Sequence, residues 1–246
     1  MDKYGIIGFP LGHSFSKGFF TDKFEREQIN ATYLNFAIEK VEELKTVLKQ
    51  HPELRGLNVT LPYKQAVIPL LSDMNEEAKA IGAVNVIRIR NIEGKLHLKG
   101  YNSDVIGFTE SIRPLVQPHH KKALVLGTGG ASKAVCAGLD SLGIEWKYVS
   151  RTERTNGFTY EQLNEAIIQS HTLIVNCSPV GMFPHCDECP LLPYHLLTPQ
   201  HLLFDLVYNP LETNFMKKGQ MQGAVTKNGL EMLHLQALAS WKFWNE

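Results

Sequence analysis

The chain has 246 residues, 43% of them hydrophobic and 20% charged, which suits one large or two modest packed domains. Lysine plus arginine equals aspartate plus glutamate at 25 each, so no global field draws the protein to nucleic acid or to an anionic membrane, and a charged ligand has to be met by local groups. The four cysteines, Cys136, Cys177, Cys186 and Cys189, are too few and too irregular for a disulfide framework, and the single Cys186-x-x-Cys189 lacks the second pair of a zinc site, so no metal is expected.

Residues 4–8 read as a strand closing in a glycine turn, without the apolar core and cleavage site of a signal peptide. With no apolar run long enough to span a bilayer, a cytoplasmic location is expected. A helix over 19–28, a strand over 33–37 and a helix over 41–49 follow. In residues 56–64, Leu57, Val59 and Leu61 alternate with Asn58 and Thr60, so a period-two strand packs the apolar residues and turns the polar pair to the other face. Pro62 ends that strand and leaves Lys64 just beyond it. An ammonium beside an amide and a hydroxyl at the carboxyl end of a buried strand is arranged to meet a polar small molecule, while the same pattern also suits a polar turn with a solvated lysine.

An amphipathic stretch over 65–81, a strand over 83–90, a hairpin turn at Glu93-Gly94 and a strand over 95–98 come next, then turn formers at 100–104 and a helix over 105–115. This rhythm predicts an α/β domain with a mostly parallel sheet over residues 1–103. The count restarts at 123–126, a continuous apolar run of the kind that fills a strand buried on both faces. Helix 131–142, strand 146–149, helix 160–169, and strands 172–176 and 202–206 make a second βαβ series, a Rossmann-like domain over 104–225. The amphipathic segment 229–244 is predicted as a helix, with residues 226–246 returning to the first domain.

Gly127-Thr128-Gly129-Gly130-Ala131 follows the strand at 123–126 and opens a helix, as a dinucleotide loop does, although Ser132 stands where that motif carries its last glycine or alanine. A tight structural turn would use the same glycines. Where an NAD site carries an acidic residue for the ribose hydroxyls, this chain has Ser150-Arg151-Thr152-Glu153-Arg154; two guanidinium groups suit a 2′-phosphate and favour NADP.

Taken together these segments resemble the shikimate dehydrogenase family over nearly the whole chain. The resemblance is carried by residues 8–16, by the Gly-x-Asn-Val-Thr-x-Pro-x-Lys of 56–64, and by 82–85 and 102–104. It continues through the glycine loop, residues 150–154, 176–182, 205–210 and 229–236. The resemblance implies two domains, an N-terminal substrate domain and an NADP-binding one. The implied reaction is the reversible NADP-dependent reduction of 3-dehydroshikimate to shikimate on the route to aromatic amino acids. It further implies Lys64 and Asp104 as catalytic residues, and Ser14, Ser16, Thr60, Asn85, Tyr208 and Gln236 as substrate contacts. Gly127, Thr128, Gly129, Gly130, Ala131, Ser150, Arg151, Thr152, Arg154, Leu206 and Gly229 are implied at the cofactor. His13 matches a family position and reads as structural.

The chain departs from the family at residues 17–21, where the usual Pro and His-Asn give way to Lys17-Gly18-Phe19-Phe20-Thr21, which bears on the packing of the first helix. A quinate or dual-substrate dehydrogenase is the nearest alternative. A catalytically silent nucleotide sensor is the alternative of another class, and it need not keep Lys64 and Asp104 together. The expected partner is a small-molecule substrate, with the protein a monomer or homodimer.

Overall fold

The computed structural model describes residues 1–12 and 15–246 and divides into two compact units, Met1–Ser103 with Ala237–Glu246, and Asp104–Gln236. The first unit runs β1 (Asp2–Gly8), α1 (Phe15–Arg26), β2 (Ala31–Ala37), α2 (Leu44–Gln50), β3 (Leu54–Val59), α3 (Tyr63–Ala66), β4 (Asp73–Met74), α4 (Glu76–Ile81), β5 (Val86–Ile92) and β6 (Lys95–Tyr101). Its six strands lie in the order β2-β1-β3-β5-β6-β4. β1 is parallel to β2 and β3, with Gly5 opposite Leu57 and Ile7 opposite Val59, and the hairpin β5–β6 joins antiparallel to β3. Ile7, Leu57, Val84 and Ile87 are wholly buried at the centre.

The amphipathic stretch predicted over 65–81 is not one helix. Pro69 falls in a short 3-10 turn, Ile68–Leu70, since it has no N–H to continue the ladder. The chain then extends to pair β4 with β6, and α4 starts afresh with the Asn75 side chain accepting from the Ala78 N–H at 3.1 Å. The departure at 17–21 is also accounted for. Phe20 is fully buried, stacks on Tyr33 with ring centroids 4.9 Å apart, and meets Trp244 at 5.0 Å. Tyr4, Phe24 and Trp241 complete the aromatic cluster. Gly56 is required here, because a Cβ on it would sit 2.3 Å from the Trp244 ring.

The second unit contains α5 (Asp104–Ile112), β7 (Lys122–Leu126), α6 (Gly130–Ser141), β8 (Glu145–Ser150), β9 (Gly157–Thr159), α7 (Glu165–Ser170), β10 (Leu173–Asn176), β11 (Leu202–Asp205), α8 (Asn214–Gln220), β12 (Val225–Lys227) and the start of α9 (Leu230–Asn245). All its strands are parallel in the order β12-β11-β10-β7-β8-β9. Ala123, Leu124, Val125 and Leu126 are wholly buried, as the apolar run predicts. Strand order reverses between β7 and β10, which opens a crevice at their carboxyl ends, the usual ligand position in a doubly wound sheet. The division between units falls at Gln236/Ala237 rather than at 226. The reason is that Val225–Lys227 is an edge strand of the second sheet and Met232 belongs to the second core.

Candidate active site

In the first unit, the end of β1 and the turn after β3 hold each other. A Cβ on Gly8 would lie 2.4 Å from Thr60 Cγ2, so the glycine is what lets Thr60 sit against it. The Thr60 N–H donates to Ile7 O at 3.0 Å and the Tyr63 N–H to Thr60 O at 2.9 Å. Lys64 follows, half-buried in α3, and its carbonyl accepts from the Val84 N–H at 2.7 Å. The Tyr63 hydroxyl donates to Ile38 O at 2.6 Å. The lysine therefore starts from a turn clamped on both sides at the carboxyl edge of the parallel strands.

Asn85 precedes β5 and is buried; its Oδ1 accepts from the Ser103 N–H at 2.7 Å and its Nδ2 donates to Ser103 Oγ at 2.9 Å. Ser16 is buried in α1, and burial holds the Tyr33 phenol far above the ordinary tyrosine range, with the Ser16 hydroxyl opposing the rise. Ser14 and His13 lie outside the described residues.

In the second unit, Asp104 opens α5 and is buried. Gly107, one turn on, has no room for a side chain: a Cβ would lie 2.6 Å from Met232 O and 3.0 Å from Gln236 Cβ. The helices carrying Asp104 and Gln236 are thus in backbone contact, and the Gln236 amide donates to Leu233 O at 2.9 Å. Gly127 has a φ of +95°, a left-handed conformation that glycine adopts without strain. At Gly129 a Cβ would meet nothing within 4 Å, so the turn opens on free space in front of the twelve-residue helix α6. That space, faced by backbone N–H groups and a helix amino terminus, fits a pyrophosphate. Ser132, the odd member of the motif, donates to Gly129 O at 2.7 Å and closes the turn from behind.

Ser150 ends β8 and donates to Thr152 O at 2.6 Å, fixing the turn from which Arg151, Thr152 and Arg154 stand exposed. Among the described residues neither guanidinium is ion-paired, which leaves both to an anionic ligand. Leu206 and Gly229 meet directly: a Cβ on Gly229 would lie 2.2 Å from Leu206 O. Tyr208 is half-buried in the same loop. Among the described residues no group of three or more His, Cys, Asp or Glu gathers as for a metal ion, and no helix is long and apolar enough to cross a membrane.

Residues 6–87 match the family model for the shikimate dehydrogenase substrate binding domain. Over 265 residues the chain is 34% identical to the NADP(+) shikimate dehydrogenase of Desulforamulus reducens, covering 98% of this chain and 88% of that one. The chain belongs to the shikimate dehydrogenase family. The crystal structure of the Aquifex aeolicus shikimate dehydrogenase is similar with a TM-score of 0.86 at 35% identity, over 99% of this chain and 92% of that one. The Thermus thermophilus shikimate dehydrogenase, solved with NADP(H) and shikimate, gives 0.85 at 30% identity, over 99% and 93%.

Two features of this shikimate dehydrogenase-family chain escape a reading by motif. Asn58, which alternation pairs with Thr60 on a ligand-facing strand face, is turned inward: its Oδ1 accepts from the Tyr33 hydroxyl at 2.8 Å and its Nδ2 donates to Ser240 Oγ at 2.9 Å. Its place between apolar neighbours in a central strand was the available signal, since a polar side chain there has to find buried partners.

The second feature is Asp205, wholly buried at the end of β11. Its Oδ1 accepts from Asn176 Nδ2 at 2.9 Å and from the Val207 N–H at 3.0 Å, and its Oδ2 accepts from the Thr213 hydroxyl at 2.6 Å. Asn176 Oδ1 in turn accepts from the Ser178 hydroxyl at 2.7 Å and the Ser178 N–H at 3.1 Å. One carboxylate therefore anchors both loops at the crevice, including the one that bears Leu206 and Tyr208. Burial pushes its pKa up from 3.8 to about 6, with the three donors opposing the rise.

Proposed function

We propose that this protein is an NADP-dependent shikimate dehydrogenase that interconverts 3-dehydroshikimate and shikimate. The observation that carries the reading is the glycine turn at the reversal of the second sheet, with Arg151 and Arg154, not ion-paired among the described residues, after the next strand, in a chain that also keeps Lys64 and Asp104. NADP supplies the hydride acceptor when bound. Gly127, Thr128, Gly129, Gly130 and Ala131 would hold its pyrophosphate, Ser150, Arg151, Thr152 and Arg154 its adenosine phosphate, and Leu206 and Gly229 its nicotinamide side. Lys64 is assigned as the acid/base group at the reacting oxygen, with Asp104 as its partner. Ser14, Ser16, Thr60, Asn85, Tyr208 and Gln236 are assigned to the substrate carboxylate and ring hydroxyls. A site built from such donors rejects analogues that leave them unpaired.

On this reading Met1–Ser103 with Ala237–Glu246 is the substrate unit, Asp104–Gln236 the cofactor unit, and the cytoplasm the place of work. The test is the initial rate of NADPH formation with shikimate, run beside NAD and beside quinate. Fast turnover with shikimate and NADP is expected. Preference for quinate would move the assignment to a quinate dehydrogenase, and no turnover with either would favour a silent sensor.

A further inference from the structure

Behind the side chains assigned to substrate lies a buried polar cluster of the first unit that the assignment does not use. Asn58, Ser103 and Ser240 are 5%, 0% and 0% exposed, and come from β3, the end of the segment after β6, and α9. Asn58 is held by the Tyr33 hydroxyl, donates from Nδ2 to Ser240 Oγ at 2.9 Å, and reaches Asn85 O only at 3.4 Å. Ser240 Oγ lies 3.1 Å from Ser103 Oγ, where either hydroxyl donates. Ser103 grips both ends of the Asn85 carboxamide, through its N–H and its hydroxyl.

From these contacts we infer that Ser240 is a positioning residue for substrate: it joins Asn58 to Ser103 and so fixes the orientation in which Asn85 presents its amide. Among the described contacts the Asn85 Nδ2 gives one hydrogen to Ser103, which leaves its second N–H for a ligand. Without the Ser240 hydroxyl, Asn58 still accepts from the Tyr33 hydroxyl but its Nδ2 keeps only the long contact to Asn85 O, and the Ser103 hydroxyl loses one of the neighbours that orient it. An amide held loosely by that amount binds a ring hydroxyl poorly, because the free energy of ordering it then falls on the binding step. The inference rests on the assignment of Asn85 to shikimate.

The test uses the full chain, with initial rates at varied shikimate and varied NADP for wild type, Ser240→Ala, Ser240→Thr and Asn85→Ala, and a melting curve for each. Ser240→Ala should raise the shikimate KM by roughly fivefold to tenfold, the NADP KM by no more than about twofold, and add little on top of Asn85→Ala. Ser240→Thr keeps the hydroxyl and should recover most of the loss. Should Ser240→Ala fail to fold, Ser240→Cys, close in shape but a weak hydrogen-bonding group, is read in the same way. A lowered Tm with an unchanged shikimate KM, while Asn85→Ala raises that KM, would overturn the inference and leave the Asn85 assignment standing. An Asn85→Ala enzyme with a wild-type shikimate KM would remove the assignment and the inference together.

Discussion

The two units handle polar groups in opposite ways. In the first, amides and hydroxyls sit in the interior: Asn58, Asn85, Ser103 and Ser240 are buried and bonded to one another, and the buried Asn102 amide donates to Ala83 O. In the second, the central strand β7 is apolar from Ala123 to Leu126, and polar groups begin where strands end, at the glycine turn and at Asn176 and Asp205. The difference separates two ways of building a site. Backbone N–H groups at a helix start bind an anion whatever side chains surround them, so long as the turn keeps its glycines. Side chains anchored in a polar interior are less tolerant, since each loss leaves a buried partner unpaired.

That contrast is tested most severely at Lys64. Lys64→Ala should fold as wild type and lose on the order of 10²-fold or more in turnover, the range for a positioned acid/base group. Asp104→Asn should be non-additive with it in a double-mutant cycle. Near wild-type turnover in folded Lys64→Ala would return the residue to a solvated turn.

Asp205 tests the second unit, where removal of one side chain should be costly at the strand ends. Asp205→Ala strands three donors and should lose about 3 kcal/mol in chemical denaturation at pH 7. Asp205→Asn should be much milder, because an amide keeps one acceptor oxygen and can donate to Thr213. The pH dependence has a definite sign. With its pKa raised from 3.8 to about 6, the folded protein holds this proton over a window in which the unfolded chain has lost it. This residue's contribution is therefore fully present below about pH 4 and declines as pH rises through 6, by on the order of 3 kcal/mol. In Asp205→Asn that part of the slope should vanish; an unchanged slope would assign it to other groups.

Arg151→Ala should lower kcat/KM with NADP by roughly tenfold and with NAD far less, since one charge-assisted contact is worth about 1.5 to 3 kcal/mol. The NADP effect should fade at high salt. Equal losses with both cofactors would make the basic turn a solvated loop. The smallest effect is expected at Ser16. Its side chain is buried, so it must turn to meet a carboxylate, and Ser16→Ala should raise the shikimate KM only severalfold without moving the NADP KM. A rise in the NADP KM instead would shift Ser16 to the cofactor.

The parts of this molecule legible in the sequence are those with local causes. The apolar run of β7 and the glycine turn after it follow from composition, as does the hairpin at Glu93-Gly94, where both residues have positive φ. The three-residue strands β9 and β12 were not legible, because each is a sheet edge with too few residues to show alternation. The break at Pro69 could have been read, since a proline inside a helical pattern ends it. The pattern around Asn58 signals burial, but the partners of Asn58 and of Asp205 could not be read from it. What decides their roles is a partner 182 residues away in one case and 29 in the other, and a period-two alternation carries no information about such distances.

The aromatic cluster has a consequence for the order in which the protein is made. Tyr4, Phe20 and Gly56 precede the second unit in the chain, yet their core is closed by Trp241 and Trp244, which follow it in Ala237–Glu246. The second unit is one continuous segment, Asp104–Gln236. During synthesis that segment is complete before Trp241 and Trp244 emerge, so the first unit, begun earlier, finishes folding after the second has been made. Until then its nascent form exposes the rings of Tyr4, Phe20 and Phe24 that the two tryptophans later cover, and the interval before those tryptophans arrive is when this chain most needs protection from aggregation.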